Sequence, residues 1–105
     1  TKTRRRRLVP RSPALEAWLS PYRDCEGPVW PHSRKAFEGR YYRLREKVSI
    51  KGNNLLRHSY ASYRFTQIGE NELAKEMGNS PEMIYSNYRE LVEPNEADNW
   101  FNVQP

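Results

Sequence analysis

The chain has 105 residues, with 18 Lys and Arg against 13 Asp and Glu, one cysteine and two histidines. That length suits one small domain and no second. The lone Cys25 excludes an intramolecular disulfide and two histidines supply no metal-ligand cluster, so a metal-free, cofactor-free site in a reducing, cytoplasmic setting is expected. No apolar run approaches the ~20 residues of a membrane span, and the basic start lacks the apolar stretch of a secretory signal.

Charge is distributed unevenly along the chain. Residues 1–11 hold Lys2, Arg4, Arg5, Arg6, Arg7 and Arg11 without an acid, so the net +5 is +6 from this arm and −1 from everything after it. Such a block grips a polyanion through phosphate contacts and counterion release. Arg4, Arg5, Arg6 and Arg7 are therefore expected to hold the phosphate backbone of a polyanion. The bland alternative is a solvated arm, since charge runs often belong to one.

Leu8-Val9-Pro10 reads as a short extended strand. Ser12 and Pro13 then supply an N-cap and a first-turn proline for a helix carrying Leu15, Trp18 and Leu19. A lone strand leaves its backbone groups unpaired, and nothing else in the chain reads as its partner. The partner is expected upstream of Thr1, which makes these residues part of a longer protein.

Residues 21–31 are rich in breakers and read as a loop. Ser33 caps a helix through about Val48, on which Phe37, Tyr41, Leu44 and Val48 recur at helical spacing as an expected core stripe. Lys51-Gly52-Asn53 closes it, and Asn53 or Asn54 is placed to cap the next helix, whose apolar face is Leu56, Tyr60 and Tyr63, with Gly69 near its end. A short helix over 71–77, a turn at Gly78-Asn79-Ser80-Pro81, a helix from Pro81 to about Val92 and a last one over 95–102 follow. The expected fold is mainly α: a compact helical bundle with a short N-terminal β-strand left from a truncated hairpin or sheet. Its parts are a basic strand or arm over 1–11, a helical core over 12–92 and a C-terminal tail over 93–105.

Leu55-Leu56-Arg57-His58-Ser59-Tyr60-Ala61-Ser62 resembles the Leu-Arg-His-Thr/Ser-Phe-Ala box of the tyrosine recombinases, the phage-integrase family. Met77-Gly78-Asn79-Ser80-Pro81 is similar to that family's Leu-Gly-His-Ser-Ser turn, and Tyr88 falls at its nucleophile position. Thr1-Lys2-Thr3, ahead of the arginine-rich strand, resembles the hairpin that carries the family's lysine. The resemblance spans most of the chain and covers the C-terminal part of the family's catalytic domain. Asn54 and Asn79 stand where the family has histidines. The family's first arginine lies upstream of the hairpin and has no counterpart here, so the 105 residues alone are expected to be inactive.

The resemblance implies site-specific recombination or integration of double-stranded DNA through a 3′-phosphotyrosine intermediate. Tyr88 would attack the phosphorus and Arg57 would clamp the phosphate, a task that suits a planar fork of permanently charged donors. Lys2 would protonate the leaving 5′-hydroxyl as general acid, while Asn54 and Asn79 would donate hydrogen bonds to the same phosphate. No metal or other cofactor is required. In the family, a C-terminal segment packs on a neighbouring protomer, which makes Trp100 and Phe101 candidates for self-association. Packing in cis is the equal alternative.

Ordinary structural roles compete with each assignment. Tyr88 lies on the Ile84, Tyr88, Leu91 stripe and suits a half-buried core position; Tyr85 is a rival nucleophile on another face. Arg57 could pair with Glu72 or Glu76, Asn54 could be only an N-cap, and His58 a packed histidine. The run from Glu72 to Ile84 also fits a helix-turn-helix, a non-catalytic DNA-binding module in which Tyr85, Asn87 and Arg89 would face the major groove.

Overall fold

The computed structural model describes residues 6–88 and 92–105. Helix α1 (Pro13–Leu19) starts where Ser12, in an extended conformation, accepts a hydrogen bond from the Leu15 amide at 3.1 Å. The proline that follows has no N–H to leave unsatisfied. α1 runs on into a 3-10 turn over Ser20–Tyr22, and Trp18 Nε1 ties it to the C-terminal tail by donating to the Val103 carbonyl at 2.8 Å.

Helix α2 (Arg34–Lys47) is capped by Ser33, which accepts from the Ala36 amide at 3.2 Å. The expected helix is present, but its expected burial is not. Phe37, Tyr41, Leu44 and Val48 are 47, 39, 57 and 51% exposed, and no residue of α2 is buried. Among the described residues no other helix packs along this stripe. Its rings meet locally instead, Trp30 edge-on to Phe37 and Phe37 stacked on Tyr41.

Helix α3 (Leu55–Met77) is interrupted at Gly69, whose φ of 75° and ψ of 178° are not helical. The expected division into two helices near this glycine therefore holds. Tyr60 and Glu76 would lie about 24 Å apart in a straight helix, yet the Tyr60 hydroxyl donates to Glu76 at 2.7 Å. Gly69 thus turns the second leg back against the first. Only a glycine takes such a φ without steric cost. Arg64 holds the same hairpin closed from Nε and Nη2, at 3.1 and 2.8 Å from the two Glu76 carboxylate oxygens.

Helix α4 (Pro81–Tyr88) begins at Ser80, which accepts from the Met83 amide at 3.2 Å, with Pro81 at the first helical position. Helix α5 (Pro94–Phe101) starts with the Glu96 carboxylate accepting from the Glu93 amide. Both α4 and α5 pack on α3. The core is Ala61, Leu73, Ala74, Met77, Ile84 and Tyr88, with Tyr60, Phe65 and Ile68 against it. Trp100 stacks on Tyr63 and Phe101 meets Tyr60 edge-on, so the C-terminal aromatics pack in cis.

The mainly helical class expected from sequence is what the chain adopts. The expected strand is not: among the described residues there is none, and residues 6–12 pair with no neighbouring backbone as a ladder would require. An extended segment without a partner strand cannot close its own hydrogen bonds. The accessible surface of 9265 Å² also exceeds the roughly 6,200 Å² of a closely packed 12.5 kDa chain.

Candidate functional site

The candidate residues gather at the C-terminal end of α3. Its last residue, Met77, is buried, and its carbonyl is one of the four at a helix end with no partner in the helix. Arg57 Nη2 donates to this oxygen at 3.3 Å from one turn into α3's first leg. Arg7 Nη1 donates to it as well, at 2.5 Å, from 70 residues away. Gly78 follows in a left-handed conformation, φ 71°, closing the helix with its amide on the Ala74 carbonyl.

Arg57 does not take the carboxylate partners that were open to it. Glu76 is engaged by Arg64 and Tyr60, and Glu72 by Lys75 at 2.9 Å. Among the described residues, neither Arg7 nor Arg57 forms an ion pair. Burial alone would raise the Glu76 carboxyl, but hydrogen bonds from Arg64 and Tyr60 outweigh it and hold the group below its ordinary range. Tyr60 is pushed up to about 12, first by burial and then by the Glu76 carboxylate beside it. Arg64 rises further above its ordinary value, chiefly through its bond to Glu76. The network is an internal clamp on the α3 hairpin.

Tyr88 is 7% exposed and belongs to the core cluster with Ile84 and Met77. Its ring centroid lies 5.2 Å from that of His58, the residue after Arg57, at an interplanar angle of 51°. Three segments distant in sequence therefore meet here: the Arg57-His58 turn, the Met77-Gly78 turn and the end of α4. Asn79 is on the second of these, its amide bonded to the Ala74 carbonyl at 3.1 Å. It lines an open cleft with Arg6, Arg7, Lys75 and Ser80.

Asn54 is separated from that cleft. It lines a second groove, between the end of α2 and the start of α3, which it shares with Arg57, Leu44, Val48 and Leu56. It holds the N-cap position of α3, its carbonyl accepting from the His58 amide at 2.9 Å, but with a left-handed backbone, φ 54°, and no side-chain capping bond. Arg57 reaches from this groove and Arg7 from the first cleft, and they meet only at the Met77 carbonyl. Tyr85 is half exposed on α4, away from the core.

Lys2, Arg4 and Arg5 lie outside the described residues, as do Arg89 and Leu91. No group of three or more His, Cys, Asp or Glu capable of holding a metal occurs among the described residues. No helix among them is long and apolar enough to cross a membrane. The meeting of Arg7 with Arg57 had no signal in the sequence beyond the positive charge of the arm. The Tyr60–Arg64–Glu76 network had none either, because it depends on the reversal at Gly69.

Comparison with protein-family models, with curated proteins and with solved structures finds no match to this chain.

Proposed function

We propose that this chain carries the nucleophile half of a DNA strand-cleavage and rejoining site, of the kind used in site-specific recombination and integration. The observation that carries the reading is the meeting of the Arg57-His58 turn with the Met77-Gly78 turn and Tyr88 at one end of the core. A guanidinium on the residue next to the His58 ring that Tyr88 meets, with no ion pair to a carboxylate among the described residues, suits phosphodiester attack by a phenol. Tyr88 gives up its phenolic proton to solvent and attacks the phosphorus, a 3′-phosphotyrosine bond forms and the bond to the 5′-oxygen breaks. Arg57 donates to the non-bridging oxygens, and Asn79 adds a neutral donor, while Asn54 lies in the separate groove. Lys2 gives its proton to the leaving oxygen, and Arg4, Arg5, Arg6 and Arg7 hold the backbone. Since the Tyr88 ring is buried, the end of α4 moves outward when DNA binds.

A duplex with a bridging 5′-phosphorothiolate tests the reading. Its sulfur leaves without a general acid, so the protein becomes trapped as an SDS-resistant adduct. In a longer protein that supplies the upstream arginine, the adduct is expected with Tyr88 intact, absent in Tyr88→Phe and retained in Tyr85→Phe, whereas the 105 residues alone should give little or none. A gel shift lost at high salt, with no adduct, would instead favour a binding module. The outward-facing Tyr85 and Asn87 on α4, just after the left-handed Gly78, suit that second reading. The C-terminal aromatics provide a further proposal, self-association, which light scattering tests.

A further inference from the structure

We infer that Arg7 acts with Arg57 as a two-arginine clamp for one backbone phosphate, assembled on the Met77 carbonyl at the C-terminal turn of α3. The identity of the phosphate as a DNA phosphodiester rests on the reading above; the clamp itself rests on geometry.

Two guanidinium groups donate to a single carbonyl oxygen from opposite sides of the chain's length. Side by side they repel, and among the described residues their shared partner is the partial negative charge of a helix C-terminus. Neither forms an ion pair with a described carboxylate: Glu76 is held by Arg64 and Tyr60, and Glu72, on the wall of the same cleft as Arg7, by Lys75. Each guanidinium has five donors and gives one to a described residue, through the bond to Met77. What remains is a pair of planar forks held at one point with excess positive charge. A phosphate diester matches this arrangement in charge and in its two non-bridging oxygens.

Gly78 is built into the same arrangement. A Cβ placed there would lie 3.0 Å from both Cδ and Nη1 of Arg7. The absence of a side chain at 78 lets the Arg7 stem lie against the turn and reach the carbonyl. Lys75, Asn79 and Ser80 line the cleft on Arg7's side and add polar groups facing the same space, where Glu72 is also present and paired with Lys75. The clamp places Arg7 in the phosphate site itself, a role distinct from loose backbone contact by the rest of the arm. Its neighbour Arg6 makes no corresponding bond to Met77 among the described residues.

The experiment is an NMR titration of the full chain with inorganic phosphate, following the arginine Nε–H signals, with folding checked by thermal melt. The Arg7 and Arg57 signals are expected to move together along one binding curve. Arg7→Ala should weaken phosphate binding at least tenfold, and Arg7→Lys should recover only part of it because a point charge lacks the fork. Gly78→Ala should imitate Arg7→Ala, whereas Arg23→Ala, with the same loss of charge at an exposed loop, should change binding less than twofold. Separate curves for the two arginines, or undiminished binding in Arg7→Ala, would overturn the clamp. So would a chain that binds no phosphate.

A second arm repeats the phosphorothiolate duplex assay with Arg7→Ala and Arg7→Lys. An adduct that forms at the unmodified rate in Arg7→Ala defeats the clamp and leaves the strand-cleavage reading standing. Coupled phosphate binding by the chain, without any adduct from an unmodified longer protein that supplies the upstream arginine, defeats strand cleavage and leaves the clamp standing.

Discussion

The two halves of this molecule contain helices of similar sequence quality and very different packing. Helix α2 has a good cap and a regular apolar stripe, yet none of its residues is buried. The second leg of α3 and helix α4 are shorter, yet they bury Leu73, Ala74, Met77, Ile84 and Tyr88. The difference lies in what faces each stripe. Gly69 folds α3 back on itself and α4 closes over the hairpin, whereas α2 is joined to the rest through loops and its end only shares an open groove with the start of α3. Periodicity therefore shows that a helix has an apolar side, and a second surface is needed to turn that side into a core.

The largest expected effect that would sharpen this contrast is in the hairpin. Leu73→Ala, at a side chain with no exposure, should cost about 3 to 4 kcal/mol in urea unfolding. A loss below ~1 kcal/mol would mean that the α3–α4 interface is not the stabilising core.

The next effect concerns the clamp across Gly69. Glu76→Gln removes the charge that pairs with Arg64 while keeping the shape, at a cost of about 2 kcal/mol. Because the Glu76 carboxyl is lowered in the fold, its contribution is present above the ordinary value of 4.5 and is lost as pH falls through the folded value. Tyr60 acts in the opposite sense: its contribution is full below 10.0 and disappears as pH rises towards about 12. Thermal melts across pH should show both limbs. Glu76→Gln should flatten the acid limb and Tyr60→Phe the alkaline one; unchanged limbs would separate the network from stability.

The smallest effect is expected on α2. Leu44→Ala, at a side chain 57% exposed, should change stability by no more than about 0.5 kcal/mol. Amide exchange should be correspondingly fast along α2 and slow in the legs of α3. A loss near ~2 kcal/mol would show that α2 is packed against something and would remove the contrast.

Much of the candidate site was legible residue by residue. Arg57, Asn79 and Tyr88 stand on the predicted helix, turn and helix, with Ser80 and Pro81 starting α4 as capping chemistry requires. Asn54 was legible only as a boundary. It begins α3, but with a left-handed backbone and no capping bond, in a groove apart from Asn79. The expected strand near Arg6 failed because strand propensity needs a partner backbone, and the Arg7 side chain bonds to the end of α3 instead.

The amino-acid sequence alone determined the helical class, most helix starts, the breaks at Gly69 and Gly78, and the separation of a basic arm from a nearly neutral remainder. These follow from capping, backbone freedom and charge, which act over a few residues. Tertiary structure alone decided which apolar stripes are buried, that Glu76 serves Arg64 and Tyr60, and that Arg7 and Arg57 share one carbonyl. Those outcomes depend on contacts across 12 to 70 residues, and the turn at Gly69 that brings the two legs of α3 together has no direction until the chain packs.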